Sequence, residues 1–239
     1  MTSPNLTPER LLAIGAHPDD IDFGLGGTIA QLTAAGTAVT YCVITDGDAG
    51  GFDPEVPRSR IPEIRRSEQR AAAAVLGAAD VVFLGYRDGE LTITHELRRD
   101  LARVIRQVRP DVAVVQTPVR NIDRMYASHP DHLAAGEAGM QAIYPDARNP
   151  FAHPSLLTDE GLQEWAVPQT WIVGYPEPDY FRDITDVLPT KVAALRAHES
   201  QTAHMDIEAG LRDWGGGMAR MGGLPDGRIA EAFRVLDTA

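Results

Sequence analysis

Two short clusters in this chain combine imidazoles with carboxylates: Ala16-His17-Pro18-Asp19-Asp20 near the start and His129-Pro130-Asp131-His132 past the middle. Imidazole nitrogen and carboxylate oxygen are ligands for zinc and related divalent ions. His17, Asp20 and His132 together supply two nitrogens and one oxygen, the composition of a three-ligand catalytic site that leaves a position open for water. Either cluster alone also fits a capped helix start with a solvated ring. It is the pair that suggests a metal. A structural zinc site would want a fourth protein ligand, commonly sulfur, and the single Cys42 cannot make a cysteine-rich set. Cys42 sits within the apolar run Val39 to Ile44 and reads as a buried, unreactive thiol.

Both clusters must be carried by elements that bring them together. Leu11 to Gly15 reads as a strand buried on both faces, with a helix expected from about Phe23 to Ala35. Val39 to Ile44 is a second strand, ending in the turn-prone run Asp46 to Gly51. Pro62 to Leu76 reads as a helix closed by Gly77, Asp80 to Leu84 as a third strand, and Glu96 to Val108 as an amphipathic helix ended by Pro110. Val112 to Gln116 is the fourth strand and Asp131 to Ile143 the next helix. Tyr144 to Pro168 is an irregular excursion, and Trp171 to Tyr175, Leu188 to His198 and Ala230 to Leu236 resume as strand, helix and strand. The glycines at 215 to 217, 222 and 223 read as a flexible segment.

This alternation specifies an α/β fold: a Rossmann-like, mostly parallel sheet with helices on both faces, read as one domain over 1–239. In such sheets reactive groups gather where strands end. Both clusters follow a predicted strand, so they can meet above the carboxyl edge. A dinucleotide site is not indicated, because Gly24-Leu25-Gly26-Gly27 lacks the third glycine at the right offset and lies where the helix begins.

Composition narrows the partners. The chain has 239 residues, 44% hydrophobic and 23% charged, an ordinary globular balance. Its 22 basic and 34 acidic residues give a net charge of -12, which repels nucleic acid and anionic membrane surfaces. Lys191 is the sole lysine, so there is no P-loop. No run is long enough to span a bilayer, and the apolar stretch Leu11 to Ala16 is too short for a signal peptide; a cytoplasmic protein is expected.

The two clusters, with Gly24 to Thr28 behind the first, resemble the signature motifs of the LmbE-like, or PIG-L-type, N-deacetylase family. Thr45 to Gly50, the pair Arg65 and Glu68, and the segment Lys191 to Gln201 resemble further family features, so the likeness runs from about Leu11 to Gln201. The resemblance implies a zinc-dependent enzyme that removes acetyl from N-acetylglucosaminyl compounds, or in some members cleaves mycothiol conjugates. It also implies a homo-oligomer, a trimer or hexamer. Two positions depart from the pattern: Asp22 stands where the family often has glutamate, and Ala127, beside Tyr126, where some members hold an active-site tyrosine.

Amide hydrolysis assigns roles to these residues. His17, Asp20 and His132 hold the ion, zinc or ferrous iron. Asp19 diverges from its neighbour Asp20 and is left to act as general base. A protonated His129 stabilises the developing oxyanion, with Asp131 keeping that ring charged. Arg65 reads equally as a sugar or phosphate contact and as a surface ion pair with Glu68, Asp48 as a sugar contact or an ordinary turn residue, and His198 as an approach from the carboxyl-terminal segment or a solvated helix-end histidine. The substrate expected is a small N-acetyl sugar. The alternatives are an amidase for a mycothiol-type conjugate and a sugar-binding protein without activity, which the intact Asp19 and His129 disfavour.

Overall fold

The computed structural model describes residues 3–123, 125 and 128–239. Side-chain alternation along β1 (Arg10–Gly15) divides two cores: Leu12 and Ile14 join one, Leu11 and Ala13 the other. On either side of β1 lie parallel strands β2 (Ala38–Thr45) and β4 (Val112–Gln116), with Leu11 in register with both Val39 and Val112. Outside these lie β3 (Asp80–Tyr86) and β5 (Gln169–Val173), also parallel. The sheet is completed by β6 (Tyr180–Asp183) and β7 (Ala230–Asp237), in the order β3-β2-β1-β4-β5-β7-β6, with β7 antiparallel to both its neighbours.

Helices cover both faces, as the sequence predicts. The Leu11 face packs against α1 (Asp20–Ala34), α2 (Ile61–Val75) and α6 (Leu188–Arg196), and the Leu12 face against α3 (His95–Val108) and α4 (Pro130–Gln141). No described helix is long and apolar enough to cross a membrane. The chain leaves β1 toward β2, whereas β4 lies on the opposite side. The loops after β1 and β4 therefore part from each other and open a crevice at the carboxyl edge.

The first helix begins at Asp20, three residues before the expected start, so the first imidazole and carboxylate cluster runs straight into its opening turn. It is also broken at Leu25, whose φ of -146° is not helical. The break frees N–H groups of Gly27 and Thr28, which donate to Glu231 at 2.8 and 2.7 Å, and the carbonyl of Phe23, which accepts from Lys191 Nζ at 2.6 Å. Lys191 and Glu231 pair with each other at 2.6 Å, fully buried. Close packing is what the Gly24 to Gly27 run serves: a Cβ on Gly27 would stand 2.7 Å from Ile184.

After β5 one strand was not anticipated and one expectation is corrected. The four-residue strand β6 has no alternating apolar pattern and is formed by pairing with β7. The segment read as flexible is instead α8 (Ile207–Met221), which runs through Gly215, Gly216 and Gly217 after the short helix α7 (Glu199–Thr202) and is capped by Asp206. Packing overrides propensity there: Gly215 lies so close to Ile229 that a Cβ would clash, while one on Gly216 would meet nothing nearer than the flexible Arg220 guanidinium at 3.5 Å. Gly216→Ala therefore raises stability by roughly 0.5–1 kcal/mol, and Gly215→Ala lowers it by about 1–3 kcal/mol through overpacking. Thermal melts separate the two, and a gain from Gly215→Ala would contradict the packing argument.

The excursion after α4 opens with a π-helical turn, Ala142–Ala147, and contains α5 (Pro154–Thr158). Arg106 of α3 holds it, donating to the carbonyls of Asp146, Ala147, Asn149 and Ala152. Burial would raise the Asp146 carboxyl pKa, but hydrogen bonds from Arg98 and His153 prevail and hold it below the usual carboxylate range. A lowered folded value means that the ionised group stabilises the fold above the unfolded pKa and loses that contribution as pH falls through the folded one. Asp146→Asn is expected to cost roughly 1.5–3 kcal/mol at pH 7, with the gap from the parent narrowing below about pH 4. Urea denaturation of both proteins at the two pH values measures it; a gap that widens in acid would oppose the assignment.

Candidate metal centre

The loop after β1 is tied to both neighbouring strands: Ala16 N donates to Gln116 Oε1 at the end of β4, and Thr45 N at the end of β2 donates to the Ala16 carbonyl. Asp20 Oδ2 accepts from His17 N at 2.8 Å, closing the turn. Small residues bring the second cluster in. Gly136 and Gly139 let α4 lie directly on β4, since a Cβ on Gly136 would run into the Gln116 carbonyl and one on Gly139 would stand 2.9 Å from Val115.

The three residues proposed as ligands converge. His17 Nδ1 lies 3.2 Å from His132 Nε2 and 3.3 Å from Asp20 Oδ2, and His132 Nε2 lies 3.1 Å from Asp20 Oδ1. Ligand atoms with bonds of about 2.0–2.1 Å to a tetrahedral ion stand roughly 3.3–3.4 Å apart. Two other groups offer one ligand atom per residue all within 4.8 Å and could also hold an ion: His17 with His129 and His132, and His17 with Asp88 and Asp131. The second explains how His17 is held. Its Nε2 lies 3.0 Å from Asp88 Oδ1 and 3.3 Å from Asp131 Oδ2, so Nε2–H can donate outward while Nδ1 stays free to ligate.

The electrostatics also suit a cation. Burial disfavours a charged His17, yet hydrogen bonds to Asp131, Asp20 and Asp88 outweigh it and push the ring up to about 12. His132 is raised as well, because Asp20 outweighs its burial. Carboxylates so concentrated take protons on to their imidazole neighbours unless another positive charge is supplied, and the donor set fits a divalent ion.

Asp19 stands beside this group at φ 98°, a conformation that a residue with a Cβ rarely adopts. Its backbone is held by Gln69, whose Oε1 accepts from Asp19 N at 2.9 Å, and its carboxylate by Arg65 at 3.1 Å. Burial raises its pKa to about 6, with Asp20 adding to the rise and Arg65 opposing it. Beneath lies a buried network: Asp22 accepts from Gln69 Nε2 and Tyr41 OH and pairs with His198 Nε2. His198 thus supports the layer under Asp19 and does not enter the cleft.

Several expected partners differ. Arg65 and Glu68 do not pair: Arg65 is 4% exposed and also donates to the carbonyls of Pro18 and Gly47, while Glu68 accepts from Ser200 N and Oγ. Neither the solvated ion pair nor a free sugar-binding guanidinium describes Arg65. Both Asp48 oxygens are engaged, by Asp88 N and by Arg58, so Asp48 braces Asp88. Asp131 does not keep His129 charged. Its carboxylate accepts from Gly89 N and Leu91 N and faces His17, while Asp131 N donates to His129 Nδ1 at 3.2 Å. Burial, then His17 and His132, lower the His129 pKa, and Asp131 and Asp88 do not reverse that. Asp88 was missed; its signal is an Asp-Gly turn two residues past β3. Tyr126 and Ala127 lie outside the described residues.

The model of the PIG-L family, described as GlcNAc-PI de-N-acetylase, matches residues 12–143, more than half the chain and both clusters. This chain is a member of that family. Among its relatives, a diacetylchitobiose deacetylase of Thermococcus kodakarensis is 36% identical over 193 residues, 81% of this chain and 70% of that one. A probable N-acetyl-alpha-D-glucosaminyl L-malate deacetylase 2 of Bacillus cereus is 31% identical over 203 residues, 82% of this chain and 85% of the other. The structure of N,N'-diacetylchitobiose deacetylase from Pyrococcus horikoshii, solved with an inhibitor, aligns with a TM-score of 0.88 at 31% identity, covering 97% of this chain and 85% of that one. These PIG-L relatives are deacetylases of N-acetylglucosamine-type compounds, which supports an amide hydrolase here.

Proposed function

We propose that the chain is a metal-dependent hydrolase that removes the acetyl group from an N-acetylglucosaminyl compound. The observation that supports this best is the meeting of His17 Nδ1, Asp20 and His132 Nε2 within 3.3 Å of one another, with Asp19 tethered beside them. Those three residues would hold a divalent ion, zinc or ferrous iron, which would supply positive charge to acidify water and polarise the acetamide carbonyl.

The remaining chemistry belongs to side chains. Asp19 takes the proton as water attacks the acetamide carbon, and returns it to the amine nitrogen as the carbon–nitrogen bond breaks, giving acetate and the free amino sugar. Arg65 and Gln69 hold Asp19 in place for that transfer. His129, whose Nδ1 accepts from a backbone N–H, is a neutral imidazole with its proton on Nε2, and that N–H donates to the oxygen as negative charge develops there. Asp88 and Asp131 keep the His17 ring turned with Nδ1 inward.

The test is acetate release from N-acetylglucosamine compounds with and without millimolar chelator. Chelation abolishes release, and zinc or ferrous iron restores it. Release indifferent to chelator would remove the metal from the reaction, and no release from any N-acetyl amino sugar by metal-loaded protein would remove the deacetylase reading itself.

A further inference from the structure

The proposed reaction engages only the acetamide, and the rest of the substrate needs its own surface. A cleft of about 500 Å³ begins at Asp20 and His132 and is continuous with the proposed centre. That volume lies within the roughly 300–1,000 Å³ of small-ligand pockets. Gln116, Thr117 and Asn121 contribute polar lining from the end of β4 and its loop. Much of the remaining wall is apolar: Phe23 from α1, Val173 and Tyr175 from the end of β5, and Trp214, Met218 and Met221 from α8.

The α8 residues explain why this wall exists. Ile207, Leu211, Gly215 and Ala219 form the stripe that packs inward. Trp214, Met218 and Met221 are spaced i, i+4, i+7 and form a second apolar stripe beside it that faces the cleft. Met221 is 58% exposed, an apolar side chain left in water at the rim. No Lys or Arg lines the cleft among the described residues, so an anionic group would find no ammonium or guanidinium on its wall. An apolar wall without such cations leaves a buried carboxylate uncompensated and gains from covering apolar area.

We propose that this wall is the subsite for the group attached to the amino sugar, and that the group is an uncharged aryl or alkyl substituent resting on Trp214 and Met218. This rests on the deacetylase reading. The substituent lies away from the bond being broken, so its contacts act alike on ground and transition states and lower KM more than they raise kcat. A single methylene in an apolar pocket changes kcat/KM by about 10–200-fold, so a phenyl group should gain at least about tenfold.

The experiment compares metal-loaded enzyme on free N-acetylglucosamine, its phenyl glycosides and its 4-carboxyphenyl glycosides, both anomers of each. The expected result is a tenfold or larger preference for one phenyl glycoside over the free sugar, mainly through KM, and loss of that gain when the ring carries a carboxylate. Trp214→Ala and, separately, Met218→Ala reduce the ratio of phenyl to free-sugar kcat/KM, with metal content and a cooperative melt showing that each variant is folded. Equal turnover of all three, preference for the carboxylate, or folded variants that leave the ratio unchanged overturns the subsite alone. No acetate from any of them overturns the deacetylase reading and the subsite with it.

Discussion

With Asp19 as the proposed base, Asp19→Asn is expected to lower kcat by about a hundredfold to ten-thousandfold and to leave metal content unchanged. Asn is the informative replacement because it keeps the size of the side chain and tolerates positive φ better than most residues with a Cβ. Asp19 is held at φ 98° by Gln69 on its backbone and Arg65 on its carboxylate, so an amide in the same position retains the geometry and loses only the ability to take a proton. Elemental analysis and steady-state kinetics on the same preparation decide the matter. Full activity would exclude Asp19 as the base. Loss of metal together with activity would instead make it part of the ligand set.

Glu231→Ala destabilises the protein by roughly 3–5 kcal/mol, the range for removing one partner of a buried ion pair. Against a typical total of about 5–15 kcal/mol, this is a large fraction of the fold. Glu231 is 0% exposed and serves three donors at once: Lys191 Nζ and the N–H groups of Gly27 and Thr28 where the first helix breaks. Lys191→Met should cost less, because the carboxylate keeps its two backbone donors. Removing both side chains should not recover the stability of the parent, since the helix break still lacks an acceptor. Urea denaturation of the three variants orders them, and a Lys191→Met protein less stable than Glu231→Ala would reverse the reasoning.

Both imidazole clusters were legible because the first directly follows an apolar run that marks a strand and the second lies between the run Val112 to Gln116 and a predicted helix, and the crossover rules bring those strand ends together. Partners that lie far apart in the chain were not. Spacing made an Arg65–Glu68 pair available, but Pro18, Asp19 and Gly47 claim the guanidinium and Ser200 claims the carboxylate. Likewise Asp131 reads as the partner of its neighbour His129, whereas the fold turns its carboxylate on to His17 from the other cluster. Asp88 has only an Asp-Gly turn past the end of β3 to mark it, and its role becomes recognisable once the fold delivers it to the same imidazole. Three consecutive glycines argued against a helix at 215–217, and the contact of Gly215 with Ile229 shows what a local reading cannot include. Lys191 and Glu231 are similar: Lys191 stood out only as the sole lysine and the start of a family-like segment, and the meaning of the pair lies in a helix break that neither adjoins in sequence.

The acceptor that completes the break in the first helix lies 204 residues beyond Gly27. On a ribosome the loop that carries His17, Asp19 and Asp20 is therefore made well before the strand that steadies the helix behind it. Nascent and partly folded forms leave that helix uncapped from behind, and readiness for hydrolysis becomes a property of the finished sheet rather than of the segment bearing the reactive groups.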